Sequence, residues 1–143
     1  MTSSSPDPKP FTHTVRVYYE DTDFSGVVYH AAHVKFFERG RTEALRSAGV
    51  SHTELLARDE PLAFAIRKMQ IEWRAPARID DLLEVRTWFT AVKGARMRLR
   101  QEMWRGDVLI AGADVEAACM SLDSRARRLP ADIVENLLGA RAS

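Results

Sequence analysis

The chain has 143 residues, enough for one compact domain, and its hydrophobic fraction of 45% is sufficient for a buried core. Its 21 Lys and Arg residues nearly balance its 20 Asp and Glu residues, which argues against a dedicated nucleic-acid-binding or membrane-surface protein. No apolar run is long enough to span a bilayer, and a single cysteine, Cys119, excludes an internal disulfide framework.

The first 11 residues, MTSSSPDPKPF, are rich in Ser and Pro. They predict a flexible tail ahead of a single domain that covers residues 12–143. The tail has no charged segment followed by an apolar stretch, so we do not expect a signal peptide. Together with the single cysteine, this predicts a cytoplasmic protein.

Residues 12–20, THTVRVYYE, alternate as a half-buried strand does, with Val15, Val17 and Tyr19 on one face. After the break DTDFSG, the spacing of apolar residues predicts a long amphipathic helix over residues 30–48. Gly49 is expected to end this helix in a left-handed conformation, and Gly40 inside it to mark a close approach of backbones. A short helix is predicted over residues 51–58. The apolar face of the long helix is predicted to contain Val34, Phe37, Ala44, Leu45 and Ala48.

Four long strand candidates follow, with a bulge expected near Arg67 where the apolar phase of the first one shifts. A helical turn over residues 131–138 closes the chain. One long helix and about five strands predict an α+β layer architecture. Trp88, Phe89 and Trp104 are placed on the outer face of the sheet, which indicates that another subunit covers part of it. The four candidates are LAFAIRKMQIEW, LLEVRTWFTAV, ARMRLRQEMW and VLIAGADVEAACMSL.

The segment EDTDFSGVVYH at residues 20–30 has three carboxylates directly before an apolar run. Asp21, Asp23 and Ser25 match the first half of a calcium-binding loop. Such a loop needs a bidentate glutamate at its twelfth position, which is Ala32 here, and a helix before it, where this sequence predicts a strand. We therefore predict no metal site.

Two interpretations of this segment remain open. Asp, Thr, Ser and Gly are common turn residues, so the segment is typical of a solvated turn. It also leads directly to a helix start near His30, where free backbone N–H groups and the helix dipole stabilise negative charge. A carboxylate beside such donors is the arrangement that acyl-transfer chemistry requires.

The segment VRVYYEDTDFSGVVYHAAHVKFFERGRTEALR closely resembles the signature of the 4-hydroxybenzoyl-CoA thioesterase family. It is most similar to the branch of small acyl-CoA thioesterases associated with the bacterial Tol-Pal system. The resemblance continues through FAIRKMQIEWRAPARIDDLLEV to RRLP, covering about residues 14–135. It implies a hotdog fold, a five-stranded antiparallel sheet wrapped around one long α-helix, assembled into dimers or tetramers.

The resemblance also implies roles for individual residues. Asp23 falls on the family's catalytic aspartate, as general base or nucleophile, and His30 falls where a backbone N–H polarises the thioester carbonyl. The chain departs from the branch's usual His-Ala-Asn-Tyr at Ala32 and His33, which bears on substrate preference rather than on activity. The residues expected to contact the substrate are Gly26, Val27, Tyr29, Arg67 and Lys68.

Other candidates have simpler explanations. Glu38 and Glu43 are expected to be helix-surface charges paired with Arg41 or Lys35, although some hotdog enzymes use a helical glutamate. Cys119 is expected to be an inert core residue. The arginines that alternate on one strand predict a solvated ladder or, alternatively, a site for the phosphates of CoA; they are Arg96, Arg98 and Arg100.

The sequence thus predicts an acyl-CoA thioesterase that needs no metal or organic cofactor. Its expected partners are the acyl-CoA substrate, further copies of the chain in a homodimer or homotetramer, and cell-envelope or lipid-synthesis proteins. No nucleic-acid partner and no transmembrane segment are expected. Two alternatives remain: a non-catalytic acyl-CoA-binding or envelope-associated scaffold, and a hotdog dehydratase.

Overall fold

The structure is a computed structural model that describes residues 9–142. Its strands pair antiparallel throughout, in the order β1-β3-β4-β5-β2, so that β1 and β2 form the two edges. This confirms the predicted α+β architecture of one long helix on a five-stranded sheet. The elements are β1 (Phe11–Arg16), α1 (His30–Ser47), α2 (His52–Leu56), β2 (Leu62–Trp73), β3 (Leu82–Lys93), β4 (Arg96–Arg105), β5 (Val108–Ser121) and α3 (Ala131–Ala142).

Helix α1 lies across the inner face of the sheet and buries the side chains that repeat along one side of it. Phe36 and Phe37 are fully buried, and they belong to one core with Leu83, Leu99 and Met103 of β3 and β4. Burial of a large apolar side chain stabilises a fold by about 1.5–3 kcal/mol. This packing fixes the position of α1 and, with it, of the helix start.

Both glycine predictions are confirmed. Gly49 has φ +83° directly after α1, a conformation that side chains with a Cβ rarely adopt. A Cβ placed on Gly40 would lie 2.5 Å from Cγ1 of Val85, so glycine allows α1 to approach β3 closely. Ser51 caps α2, because its hydroxyl accepts a hydrogen bond from the backbone N–H of Glu54 at 3.1 Å.

The predicted bulge in β2 is also confirmed, because the register with β5 shifts between Ile66 and Lys68. An extra residue at Arg67 therefore turns the following side chains to the opposite face of the strand. Cys119 is buried in β5, and burial raises the pKa of its thiol, as expected of an inert core residue.

Several placements predicted from periodicity are wrong. Tyr19 is 76% exposed, because the chain leaves the sheet after Arg16 and forms a 3-10 turn over Tyr19–Asp21. Val34 is exposed on α1. Phe89 is buried against the helix rather than on the outer face, since neighbouring residues of a strand point to opposite sides and Trp88 takes the outer one.

Residues 1–8 of the predicted tail lie outside the described residues, and Phe11 is already the first residue of β1. Among the described helices, none is both long enough and apolar enough to cross a membrane.

Candidate active site

A tight loop over residues 21–28 connects the 3-10 turn to α1. The backbone N–H of Asp23 donates to the carbonyl of Val27 at 3.0 Å, and the N–H of Gly26 donates back to the carbonyl of Asp23 at 3.0 Å. Gly26 has φ +82°, which this turn requires and glycine adopts without strain. Backbone hydrogen bonds also connect the loop to residues 77–79, so bonds within the loop and bonds to a second segment both fix its position.

The two aspartates of the loop have different environments. Asp21 is buried, and its carboxylate accepts a hydrogen bond from the backbone N–H of Tyr18 at 2.8 Å, which stabilises the 3-10 turn. Asp23 is exposed, and its Oδ1 accepts hydrogen bonds from the N–H of Ser25 at 2.9 Å and from the N–H of Val27 at 3.3 Å. Asp21 therefore has a structural role, whereas Asp23 presents a carboxylate to solvent.

The hydroxyl of Ser25 also donates to Oδ1 of Asp23 and is the largest influence on that carboxylate. Hydrogen bonds to the ionised form hold the pKa of Asp23 below its usual range: first that of the Ser25 hydroxyl, then those of the backbone. Asp23 is consequently an anion at neutral pH.

The start of α1 offers hydrogen-bond donors next to this loop. The N-cap residue, Tyr29, makes no side-chain capping bond, since its phenol donates instead to the carbonyl of Glu20 at 3.2 Å. Among the described residues, no acceptor bonds to the backbone N–H of His30. That N–H group and the positive end of the helix dipole are therefore available to an oxygen of a ligand.

A cleft of about 300 Å³ lies beside this helix start. The ring of His30 stacks on Trp73 at the end of β2, with centroids 4.4 Å apart and an angle of 26° between the ring planes. Val27 and Val28 bring the loop to the cleft, and Asp23 lies just outside its lining, joined to it by the bond to Val27. The lining residues are Val27, Val28, His30, His33, Trp73, Arg74, Ala75 and Pro76.

His33 is only 2% exposed and forms part of the cleft wall. Its Nδ1 lies 3.1 Å from the carbonyl oxygen of Tyr29, and its Nε2 has no partner among the described residues. Burial lowers the pKa of His33, so the ring is neutral at physiological pH, and the Nδ1–H tautomer satisfies the Tyr29 carbonyl.

Sequence reasoning missed Trp73 as a site residue. It treated this side chain as part of a strand pattern, and only the pairing of β2 with β5 brings it to the helix start. The sequence shows only a large aromatic residue at the end of a strand candidate, which does not reveal the contact with His30.

Within one chain, Arg67 and Lys68 do not line the cleft at His30. Arg67 binds the carboxylate of Glu116, a buried residue of β5. This carboxylate also accepts a hydrogen bond from Arg98 at 3.2 Å, and the guanidinium of Arg96 lies 3.9 Å away. These arginines, Arg67 first, lower the pKa of Glu116. Lys68 lines a separate depression on the outer face of the sheet with Arg98 and Asp114.

The helical glutamates do not form the ion pairs that we predicted. Glu43 pairs with Arg46, one turn further along α1, rather than with Arg41 or Lys35. Glu38 accepts a hydrogen bond from Thr42 at 3.4 Å. Both glutamates lie outside the cleft at His30. In residues 9–142, no group of three or more His, Cys, Asp or Glu side chains is arranged to hold a metal ion.

Replacement of Ser25 by Ala is expected to raise the pKa of Asp23, because the variant loses the strongest hydrogen bond to the ionised carboxylate. The measurement is an NMR titration of the Asp23 side-chain carbon in the native protein and in the Ser25→Ala variant. Since the folded-state pKa is lowered, the stabilisation from this group is present above the unfolded-state pKa and is lost as the pH falls. The variant should lose part of that stabilisation. An unchanged titration curve would contradict the role of Ser25.

Comparison with known proteins identifies the family. Residues 25–111, more than half of the chain, match the Thioesterase superfamily. The acyl-CoA thioester hydrolase YbgC of Escherichia coli O6:H1 is 45% identical over 126 residues, which cover 87% of this chain and 92% of that protein. The acyl-CoA thioesterase YbgC of Haemophilus influenzae is 44% identical over 78% of this chain and 82% of its own.

Solved structures agree with this assignment. The crystal structure of a probable thioesterase from Bartonella henselae superimposes with a TM-score of 0.82 and 42% identity, covering 85% of this chain and 99% of that one. The antiparallel sheet around α1 is therefore the hotdog arrangement that the resemblance implies. The chain belongs to the thioesterase superfamily.

Proposed function

We propose that this chain hydrolyses acyl-CoA thioesters to the free acid and CoA at the start of α1. The observation that carries the proposal is that the ionised Asp23 carboxylate adjoins the cleft through Val27, while the backbone N–H of His30, in the same cleft, has no acceptor among the described residues. The high identity to proteins named as acyl-CoA thioesterases supports the same activity.

In this mechanism, the thioester carbonyl lies against the helix start. The N–H of His30 donates to the carbonyl oxygen, which gains negative charge as the carbon is attacked. Asp23 takes a proton from a water molecule that attacks this carbon, or its carboxylate attacks directly to form an anhydride that water then hydrolyses. In both routes the C–S bond breaks, CoA leaves as the thiolate and is protonated, and the acid is released.

The lowered pKa of Asp23 suits both routes, because each begins with the ionised carboxylate. Gly26, Val27 and Tyr29 are proposed to contact the substrate through the loop and the N-cap, next to the reacting carbonyl. We propose that Arg67 and Lys68 bind the phosphates of CoA, since guanidinium and ammonium groups both bind phosphate oxygens. Because neither residue lines the cleft at His30 of its own chain, we propose that they act on a substrate bound at another subunit.

We propose a homodimer or homotetramer, and the edge strand β2 supports this proposal. Its outer edge has no strand partner among the described residues, and it carries exposed Ile66 and Trp73. Unpaired strand edges with exposed apolar residues are typical sites of association. We also propose a cytoplasmic location, which the single cysteine supports. The Tol-Pal branch and association with cell-envelope or lipid-synthesis proteins are proposed as well, and the sequence resemblance supports them.

A hydrolysis screen tests the proposed activity. The purified protein is incubated with short, long and aromatic acyl-CoA thioesters, and release of free thiol is followed together with the acid product. We expect thiol release with at least one class of acyl group. Binding of acyl-CoA without turnover across the panel would favour the scaffold alternative, and formation of an enoyl product would favour the dehydratase.

A further inference from the structure

A second pocket, of about 240 Å³, lies between α1, α2 and the strands β2, β4 and β5, and it shares no lining residue with the cleft at His30. Arg41 lines it and lies 11 positions after His30 on α1, which is about 16 Å at 1.5 Å per residue. Most of its wall is apolar and is formed by Leu45, Phe64, Ile66, Met97, Leu99 and Ala117.

Arg41 is only 8% exposed, an unusual degree of burial for an arginine. Its Nη1 donates to Oε1 of Gln101 at 3.3 Å. The amide of Gln101 is fixed in orientation, because its Nε2 donates to the carbonyl of Phe37 at 2.9 Å and to the hydroxyl of Thr87 at 3.0 Å. The close approach at Gly40 lets this amide reach the backbone of α1. The guanidinium is therefore held in place by a neutral group.

The charge of Arg41 is not balanced by an ion pair. In the part of the chain that the structure describes, no carboxylate lies within 4 Å of its guanidinium. Among these residues, the only side-chain nitrogen or oxygen that is fully buried and lacks a hydrogen-bond partner is Nε2 of His33. The guanidinium nitrogens of Arg41 that make no hydrogen bond are therefore accessible, and they are accessible from the pocket that Arg41 lines. The carboxylate of Glu38 acts on Arg41 through its charge, but from beyond ion-pair distance. The buried cation is therefore only partly compensated, which is costly, and a ligand anion would reduce this cost.

We propose that this pocket binds a carboxylate attached to an apolar chain, with the carboxylate on Arg41 and the chain along the apolar wall. A planar guanidinium with free N–H donors matches a carboxylate in shape and charge. Glu38 lies at the rim of the pocket, where its negative charge weakens the binding of an anion. The hydroxyl of Thr42 lies 3.4 Å from the carboxylate of Glu38 and 3.3 Å from Nε2 of His52. Such a carboxylate has two sources: a free fatty acid, or the far end of an acyl group derived from a dicarboxylic acid.

The first experiment measures binding of octanoate, with octan-1-ol as the uncharged probe, by NMR titration and calorimetry. Octanoate is expected to shift the methyl signals of Ile66 and Met97, and Arg41→Met to weaken its binding about tenfold or more without affecting octan-1-ol. Arg39→Met, which removes an exposed charge of the same helix, is the matched control and should change neither. Equal binding of octanoate to native and Arg41→Met protein, or shifts confined to Val27 and Val28, would overturn the proposal.

Because Arg41 is buried, the Met variant is first checked for native unfolding behaviour, and Glu38→Gln provides a second test that leaves the core intact. Removing the opposing charge at the rim should strengthen octanoate binding severalfold, and an unchanged or weaker affinity would count against the site. These binding measurements do not depend on hydrolysis.

The substrate arm rests on the proposed function and compares the mono-CoA thioester of tetradecanedioic acid, whose extended chain matches the separation of His30 and Arg41, with tetradecanoyl-CoA. If the acyl group supplies the carboxylate, Arg41→Met should raise KM for the dicarboxylic substrate alone. If only free acids bind, both substrates should respond alike while octanoate binding still depends on Arg41. Absence of turnover with every acyl-CoA of the screen would contradict the hydrolase and leave the binding result to decide the pocket.

Discussion

Replacement of Asp23 by Asn is expected to lower kcat by about two orders of magnitude or more, while the melting temperature changes little. Asn keeps the side-chain oxygen that accepts from the N–H groups of Ser25 and Val27, so the loop retains its shape. It loses the negative charge that either removes a proton from water or attacks the thioester. Steady-state kinetics with the best acyl-CoA from the screen, together with thermal unfolding, measure both quantities.

Asp21→Asn is the matched control, because it makes the same chemical change two residues away. Asp21 is buried and accepts from the N–H of Tyr18, so its replacement should alter stability more than chemistry. We expect kcat to stay within a few-fold of the native value. Equal and modest losses of activity in both variants would contradict the assignment of Asp23 and restore the interpretation of the segment as a solvated turn.

The fold was predictable where local periodicity determines the structure. The helix over residues 30–47 and the four long strands follow from apolar spacing, and the bulge at Arg67 follows from the change of phase in β2. The errors arose where tertiary structure overrides the local pattern. Tyr19 continues the alternation of β1 in sequence, but the chain turns away there, and a periodic pattern does not record where a strand leaves its sheet.

The candidate site was predictable only in part, because some of its residues are close together in the sequence and others are brought together only by the fold. Asp23 and His30 are seven residues apart, so one motif and one helix start indicate both. The choice of Asp23 over Asp21 came from the family resemblance. The structure distinguishes the two aspartates by exposure, since Asp21 is buried and Asp23 is exposed. Trp73 reaches His30 only through the pairing of the sheet, which no local pattern contains. The buried position of Arg41 likewise depends on a contact with Gln101, which is 60 residues away in the sequence.

The groups of one chain surround the cleft at His30 only in part. In one chain, the cleft at His30 is open, and the basic residues Arg67 and Lys68 lie on a different surface. The loop from Asp21 to Val28 is too short to enclose both an acyl group and a pantetheine arm. Exposed apolar residues on the unpaired edge of β2 offer the second wall, provided that a partner subunit supplies it. We therefore expect each active site to be shared between two subunits.

Mixing two inactive variants tests this expectation. One carries Asp23→Asn and the other carries Arg67→Met with Lys68→Met, and they are unfolded and refolded together in equal amounts. If Asp23 and the basic pair of one site come from different chains, each mixed dimer has one intact site, and about a quarter of native activity returns. Refolding each variant alone is the control and should give almost none. Along a dilution series, activity should be lost at the same protein concentrations at which size-exclusion chromatography shows the dimer dissociating. A fully active monomer, or a mixture no more active than its components, would refute the shared site.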